Sequence, residues 1–441
     1  MREAKLKEQV FAKVEDAGIK FIRLWFTDIL GSLKSVAITR GQLEHAIDDG
    51  IGFDGSSIIG YQTIEESDMI AKPDLSTFAI LPPKDQGVAR MICDVLEPSG
   101  KPYEGDPRYV LKRNIKSAAK KGFTFNIGPE LEYFYFASNK NPQPLDRGGY
   151  FDLTPLDLAS QLRKDTIGVL EGMGIRVEFS HHEGAPSQQE IDLHYDEALK
   201  MSDIVMTYRV VVKEIALQAG CHATFMPKPL EGENGSGMHT HQSLFKGERN
   251  AFFDPNDEYH LSAIAKGFIA GQLKHAREFC LVTAQWVNSY KRLVPGYEAP
   301  VYVSWALRNR SALIRVPMYK PGNELATRVE LRCPDPACNP YLAFAVMLAT
   351  GLEGIDKGYD LPEPVEMNVY KMTPEELKAN GIESLPESIG EAIAETERST
   401  IVRQSLGDHV FDHLIELKKK EWDDYRTHLS QYEIDRYLPI L

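Results

Sequence analysis

Ile127–Phe136 reads IGPELEYFYF. The alternation in this stretch has a period of two, which predicts a β-strand. On such a strand Glu130, Glu132, Phe134 and Phe136 share one face, while Leu131, Tyr133 and Tyr135 share the other. Two carboxylates therefore stand about 7 Å apart on a face that is otherwise aromatic. Like charges in such surroundings need a cation between them, or one must keep its proton. A solvated edge strand would show the same alternation, so the remaining segments have to decide between the two readings.

Working outward, residues 2–17 put Leu6, Val10, Phe11 and Val14 on one helical face and stop at Gly18, a common terminator. Two β-rich segments follow, Lys20–Thr27 and Leu33–Thr39, joined by a turn around Gly31, and then a helical stretch over Gly41–Asp48. This is the pattern of a small α+β unit. The turn-rich stretch Glu97–Arg108 (EPSGKPYEGDPR) opens onto a helical run, Tyr109–Lys121, so we expect a boundary there, with domains 1–104 and 105–441. Strands and helices continue to the end without an internal repeat, giving an α+β fold with one small and one large domain.

The 441 residues carry 50 Lys+Arg against 64 Asp+Glu, a net charge of −14, with 43% hydrophobic residues. That composition excludes a disordered chain, and the acidic balance argues against a nucleic-acid partner. No apolar run is long enough to span a bilayer, and MREAKLKEQV lacks the apolar core of a secretory signal. A cytoplasmic protein without a membrane partner is expected. Five scattered cysteines, with no C-x-x-C pair, read as core residues rather than disulfides or zinc ligands. The apolar end, Tyr437-Leu-Pro-Ile-Leu441, suggests docking into a groove or a neighbouring subunit.

Three further segments bear on the paired glutamates. Arg176–Tyr195 reads as a hairpin carrying Glu183 and Glu190 on either side of a Gly/Pro loop, with His181 and His182 as further candidates. Asn234–Phe245 (NGSGMHTHQSLF) opens as a glycine loop and then alternates, putting His239, His241 and Ser243 on one face. Thr327–Arg332 sets Arg328, Glu330 and Arg332 on one strand face. Each has an ordinary structural reading alone: a turn, a plain strand entry, a surface ion-pair ladder. Together they supply five carboxylates and an imidazole, an oxygen-rich set suited to Mg²⁺ or Mn²⁺ rather than zinc. Between Trp286 and Arg332 eight cations face three anions, inverting the overall charge, as an anionic nucleotide and a carboxylate substrate would require. Within that segment Leu293–Pro300 (LVPGYEAP) reads as a surface loop able to act as a lid.

Read together, the strings FDGSS (Phe53–Ser57), ESDM (Glu66–Met69), GPELE (Gly128–Glu132), SHHE (Ser180–Glu183), FMPKP (Phe225–Pro229), NGSGMHTH (Asn234–His241), NSYKRLVPGYEAP (Asn288–Pro300), NRSALIR (Asn309–Arg315) and RVELRCPDPACNPYLAFA (Arg328–Ala345) resemble the glutamine synthetase family, in its bacterial and archaeal type I form. The resemblance implies a β-grasp-like amino domain and a catalytic domain on a curved antiparallel sheet flanked by helices. It also implies a dodecamer of two hexameric rings, with active sites between ring neighbours. By match to these motifs, Glu132, Glu183 and Glu190 would hold one metal, and Glu130, His239 and Glu330 another, with two or three ions per site. Asn234, Gly235, Arg292, Arg310 and Arg332 would bind glutamate. Glu178, Tyr195, His241, Ser243, Arg310 and Arg315 would bind ATP. Asp54 would bind and deprotonate ammonium, and Glu298 would close over a γ-glutamyl phosphate.

Tyr370 falls where some type I enzymes carry an adenylylated tyrosine, but its neighbours Val369 and Lys371 depart from the usual Leu-Tyr-Asp setting. Only Asp146–Gly149 precede Tyr150, a short central segment that points to the unadenylylated subgroup. Thr63 stands where that subgroup often has a feedback-linked arginine, and small regulatory proteins remain open as partners. The rival readings are a γ-glutamyl ligase of the same fold acting on a polyamine or other amine, and a non-catalytic scaffold.

Overall fold

The computed structural model describes residues 2–61, 68–81, 87–367 and 369–441. The first helix, Arg2–Asp16, buries Val10 and Val14 as its periodicity predicts, and Gly18 follows at φ +60°. It packs on a sheet formed by β1 (Phe21–Thr27), β2 (Leu33–Thr39), β3 (Ile51–Asp54), β4 (Asp68–Pro73), β5 (Ala79–Ile80) and β6 (Val88–Leu96). The strand order is β2-β1-β6-β4-β3, and β1 and β6 run parallel. This sheet has its own core, including Leu24, Phe26, Ala71, Met91 and Val95.

The second sheet contains β7 (Thr124–Phe136), β8 (Val177–His182), β9 (Gln188–Leu193), β10 (Asp196–Glu197), β11 (His222–Thr224), β12 (Met238–Lys246), β13 (Arg249–Asn250), β14 (Tyr302–Ala306), β15 (Ala312–Arg315) and β16 (Val329–Leu331). Its main path is β14-β15-β16-β12-β7-β9-β8, and every pairing is antiparallel except β14 with β15. One face of β7 sends Leu131, Tyr133 and Tyr135 into the large core, under helices such as Ala198–Gln218 and Pro340–Lys357. The other face carries the charges.

The helix Pro340–Lys357 joins the two halves. Asn339 caps it, its side-chain oxygen accepting from the Tyr341 backbone N–H at 3.1 Å while its side-chain Nδ2 donates to the carbonyls of Asp28 (3.2 Å) and Ile29 (3.0 Å) in the turn between β1 and β2. All five cysteines are free, and four of them are buried. No helix among the described residues is long and apolar enough to cross a membrane. The last helix, Gln431–Tyr437, buries nothing within its own chain, and Leu438, Ile440 and Leu441 are 74–98% exposed. The apolar end is therefore not docked in a groove of its own subunit.

Candidate active site

The charged face of β7 lies inside the sheet, between β9 and β12, so the solvated-edge reading of Glu130 and Glu132 does not hold. Strand register aligns the ligand candidates in rows. Glu132 pairs with Glu190, Glu130 with Asp192 and His239, His241 with Glu330, and Glu330 with Arg315. Every partner in a row faces the same side, because antiparallel neighbours share their pleat.

Side-chain geometry completes the rows. Glu130 Oε1 lies 2.6 Å from His241 Nε2, and its Oε2 lies 3.2 Å from His239 Nδ1. His239 also approaches Glu330 (3.9 Å) and Glu132 (4.0 Å), so it stands between the two halves of the cluster. His181 lies 3.8 Å from Glu183 and 3.7 Å from Glu190. Two triads have ligand atoms within 4.8 Å of one another: Glu130, His241 and Glu330, and His181, Glu183 and Glu190. His182 is structural, bonded to Asp146 (3.0 Å) and to the Glu183 carbonyl (2.7 Å).

The electrostatics divide the cluster. Burial and then the charge of Glu183 push Glu132 up to about 8, and burial together with Asp192 and Glu132 raises Glu190. For Glu330 burial acts in the same direction, but Arg332 and the two histidines outweigh it and hold the carboxyl down to about 2. Glu330 accepts from Arg332 Nη1 and Arg315 Nε, each at 2.5 Å. Burial and then Arg332 push His239 down to about 4, so its imidazole is neutral and able to ligate. Oxygen donors in excess, crowded until two of them favour protons, fit hard divalent cations.

Glu130, Glu132, Glu183, Glu190 and His239 line a cavity of about 580 Å³ with Asn234, Gly235, Arg292, Glu298, Arg310, Arg315 and Arg332, whereas Glu330 is fully buried and is not part of that lining. Arg292 is buried, and its guanidinium donates to the carbonyls of Cys333 (2.8 Å), Pro334 (3.2 Å) and Arg332 (3.0 Å), which fixes its fork. A Cβ on Gly237 would stand 2.6 Å from Arg292 Nη2, so a side chain at this position in the glycine loop would push the guanidinium from its place. A second cavity of about 350 Å³ is lined by Glu178, Tyr195, His241, Ser243 and Arg328. The two share Glu130, Phe179 and Asp192 in their walls, so they lie side by side.

Asp54 is the sequence candidate that the fold leaves apart. It ends β3 on an exposed surface, where the Ser56 hydroxyl (2.7 Å) and amide (2.8 Å) hold its carboxyl below the usual range. Thr63 and Glu66 lie outside the described residues. Sequence reasoning missed Asp192, which lines both cavities, and Tyr150, which lines the larger one. The signal for Asp192 was present: it follows Glu190 by two on the same strand.

The fold and the cavity together define an enzyme built to bring two anions onto one charged sheet face. The glutamine synthetase catalytic-domain family matches residues 104–437, and the glutamine synthetase β-grasp domain family matches residues 18–98. A glutamine synthetase of Mycolicibacterium smegmatis is 53% identical, covering 98% of this chain and 99% of that one. One of Methanosarcina mazei is 52% identical over 100% of this chain and 99% of its own length. Among solved structures, a GmaS/ADP complex superposes with a TM-score of 0.89 at 28% identity, covering 98% of this chain and 99% of that one. The chain belongs to the glutamine synthetase family. Its activity is the ATP-dependent ligation of ammonia to glutamate, with divalent metal, by an oligomeric enzyme.

Proposed function

We propose that glutamate lies in the larger cavity with its α-carboxylate on the fixed fork of Arg292 and its α-amino end toward Asn234 and Gly235, while ATP enters from the smaller cavity with its phosphates toward Arg310 and Arg315. What carries this reading is the meeting of an acidic, metal-fitting cluster and four arginines around one cavity that adjoins a second. Two or three Mg²⁺ or Mn²⁺ ions, held by Glu132, Glu183 and Glu190 and by Glu130, His239 and Glu330, would supply Lewis-acid charge to the phosphates. A carboxylate is a poor electrophile. Attack of the glutamate side-chain oxygen on the γ-phosphorus, with ADP leaving, gives an acyl phosphate, and Arg310, Arg315 and Arg332 offset the repulsion between the anions. Ammonium is not a nucleophile until it loses a proton, which Asp54 of a ring neighbour accepts. Ammonia then displaces phosphate while Glu298 shields the acyl phosphate from water.

The exposed position of Asp54 and the undocked apolar tail both favour an assembly in which neighbours complete one another: a cytoplasmic dodecamer of two hexameric rings, with amino domains shared around a ring and tails exchanged between rings. One assay tests the chemistry: phosphate release from ATP with Mg²⁺ and glutamate, measured with ammonium, with putrescine and with neither. The expected result is stoichiometric phosphate and glutamine with ammonium. Dependence on putrescine but not ammonium would assign an amine ligase, and silence throughout would assign a scaffold.

A further inference from the structure

The lid segment is held on both sides of Glu298. Glu298 itself takes a left-handed backbone, φ +58°, a conformation that a non-glycine residue keeps only when its surroundings impose it. On one side, the Lys228 ammonium sits 3.8 Å over the ring of Tyr297 and also donates to the Glu233 carbonyl, in the loop that carries Asn234 and Gly235. Asn288 holds the Lys228 backbone from both ends, accepting from its amide at 2.8 Å and donating to its carbonyl at 3.1 Å. On the other side, the Tyr370 hydroxyl donates to the Ala299 carbonyl at 2.5 Å, and Tyr370 lines the same cavity as Glu298. Burial raises its phenol, so the proton needed for that bond is present throughout the neutral range.

Resting on the reading above, we propose that Tyr370 is a positioning residue for the reaction: its hydroxyl latches the lid at Ala299 and so holds Glu298 over the acyl phosphate, with Lys228 as the opposite anchor. The latch comes from a segment 71 residues further along the chain. A hydroxyl engaged in this bond is also not presented outward for attachment of a nucleotide, in keeping with the unadenylylated subgroup. If the latch is lost, the lid opens more often and water competes with ammonia for the acyl phosphate; the bond to phosphate breaks in either case, but glutamate rather than glutamine is returned. The function of the hydroxyl is therefore coupling, not phosphoryl transfer.

The test is Tyr370→Phe, which removes one oxygen and keeps the ring that packs near Tyr302. In the intact oligomer with ATP, Mg²⁺ and glutamate, phosphate released per glutamine formed should rise above unity as ammonium is lowered, while the KM for glutamate is unchanged. Hydrogen exchange of the amides at 296–299, in protein without substrates, should accelerate about three- to tenfold, the weight of one buried hydrogen bond. A one-to-one ratio at all ammonium concentrations, or unaltered exchange in the lid, overturns the latch. Absence of glutamate- and ammonium-dependent phosphate release in the unmodified enzyme would instead overturn the underlying functional reading.

Discussion

Of the proposed site residues, Glu298 and Glu132 are the most open to test one by one. Glu298 touches the cavity but belongs to neither ligand triad. Its replacement by alanine should leave ATP binding largely intact and lower glutamine formation about a hundredfold, the usual weight of one preorganised charge at a reacting centre. Nucleotide titration beside turnover checks this, and equal losses in both would count against a lid role. Glu132 and Glu190 predict a pH effect. Their folded-state pKa values lie above the ordinary 4.5, Glu132 at about 8, so the metal-free fold gains by keeping their protons and loses stability as pH rises from about 4.5 toward 8. A divalent ion reverses that preference. Metal affinity should therefore climb with pH up to about 8, with protons released on binding at pH 7. Calorimetric titration of Mn²⁺ in two buffers of different ionisation enthalpy measures the release, and an identical apparent enthalpy in both would contradict it.

Among the elements, β7 shows what local sequence can carry. Alternation alone assigned Glu130 and Glu132 to one face and Leu131, Tyr133 and Tyr135 to the other, and the structure adds that the second face is the core. The same is true of the Arg176–Tyr195 hairpin and of His239, His241 and Ser243 on β12. What local pattern could not give is which strands lie beside β7. His239 meets Glu130 across 109 residues of sequence, and the register is set by packing of the whole sheet rather than by either segment. That gap left the edge-strand alternative open and hid Asp192, whose importance appears only when β9 is seated against β7. Helix contacts were equally illegible. Ala263–Lys274 crosses Pro340–Lys357 so closely that a Cβ on Gly271 would stand 2.1 Å from the Thr350 carbonyl oxygen. Gly271→Ala should cost at least about 1–3 kcal/mol, since neither backbone can move without disturbing the core. A fall in the thermal unfolding midpoint, with glutamate KM retained below it, is the expected outcome.

For the whole molecule, the position of Asp54 sets it apart from the other proposed site residues. In its own subunit it is absent from the residues lining both cavities, while every metal, glutamate and ATP candidate from the second sheet and its loops sits in or beside them. The sequence contains the candidate, but no pattern in it says which site Asp54 serves. If Asp54 serves a neighbour's site, Asp54→Ala and Glu132→Gln oligomers should each be inactive, yet their defects reside in different halves of a shared site. Co-expressed subunits that mix at random would then form about a quarter of their sites from an intact Asp54 on one chain and an intact Glu132 on the next. Activity should reappear in the mixed oligomer in proportion to that fraction, and should vanish again when both substitutions are placed on the same chain throughout. Mixed oligomers that stay inactive, with mixing verified by differently tagged chains, would confine the whole reaction to a single subunit and leave Asp54 without a part in it.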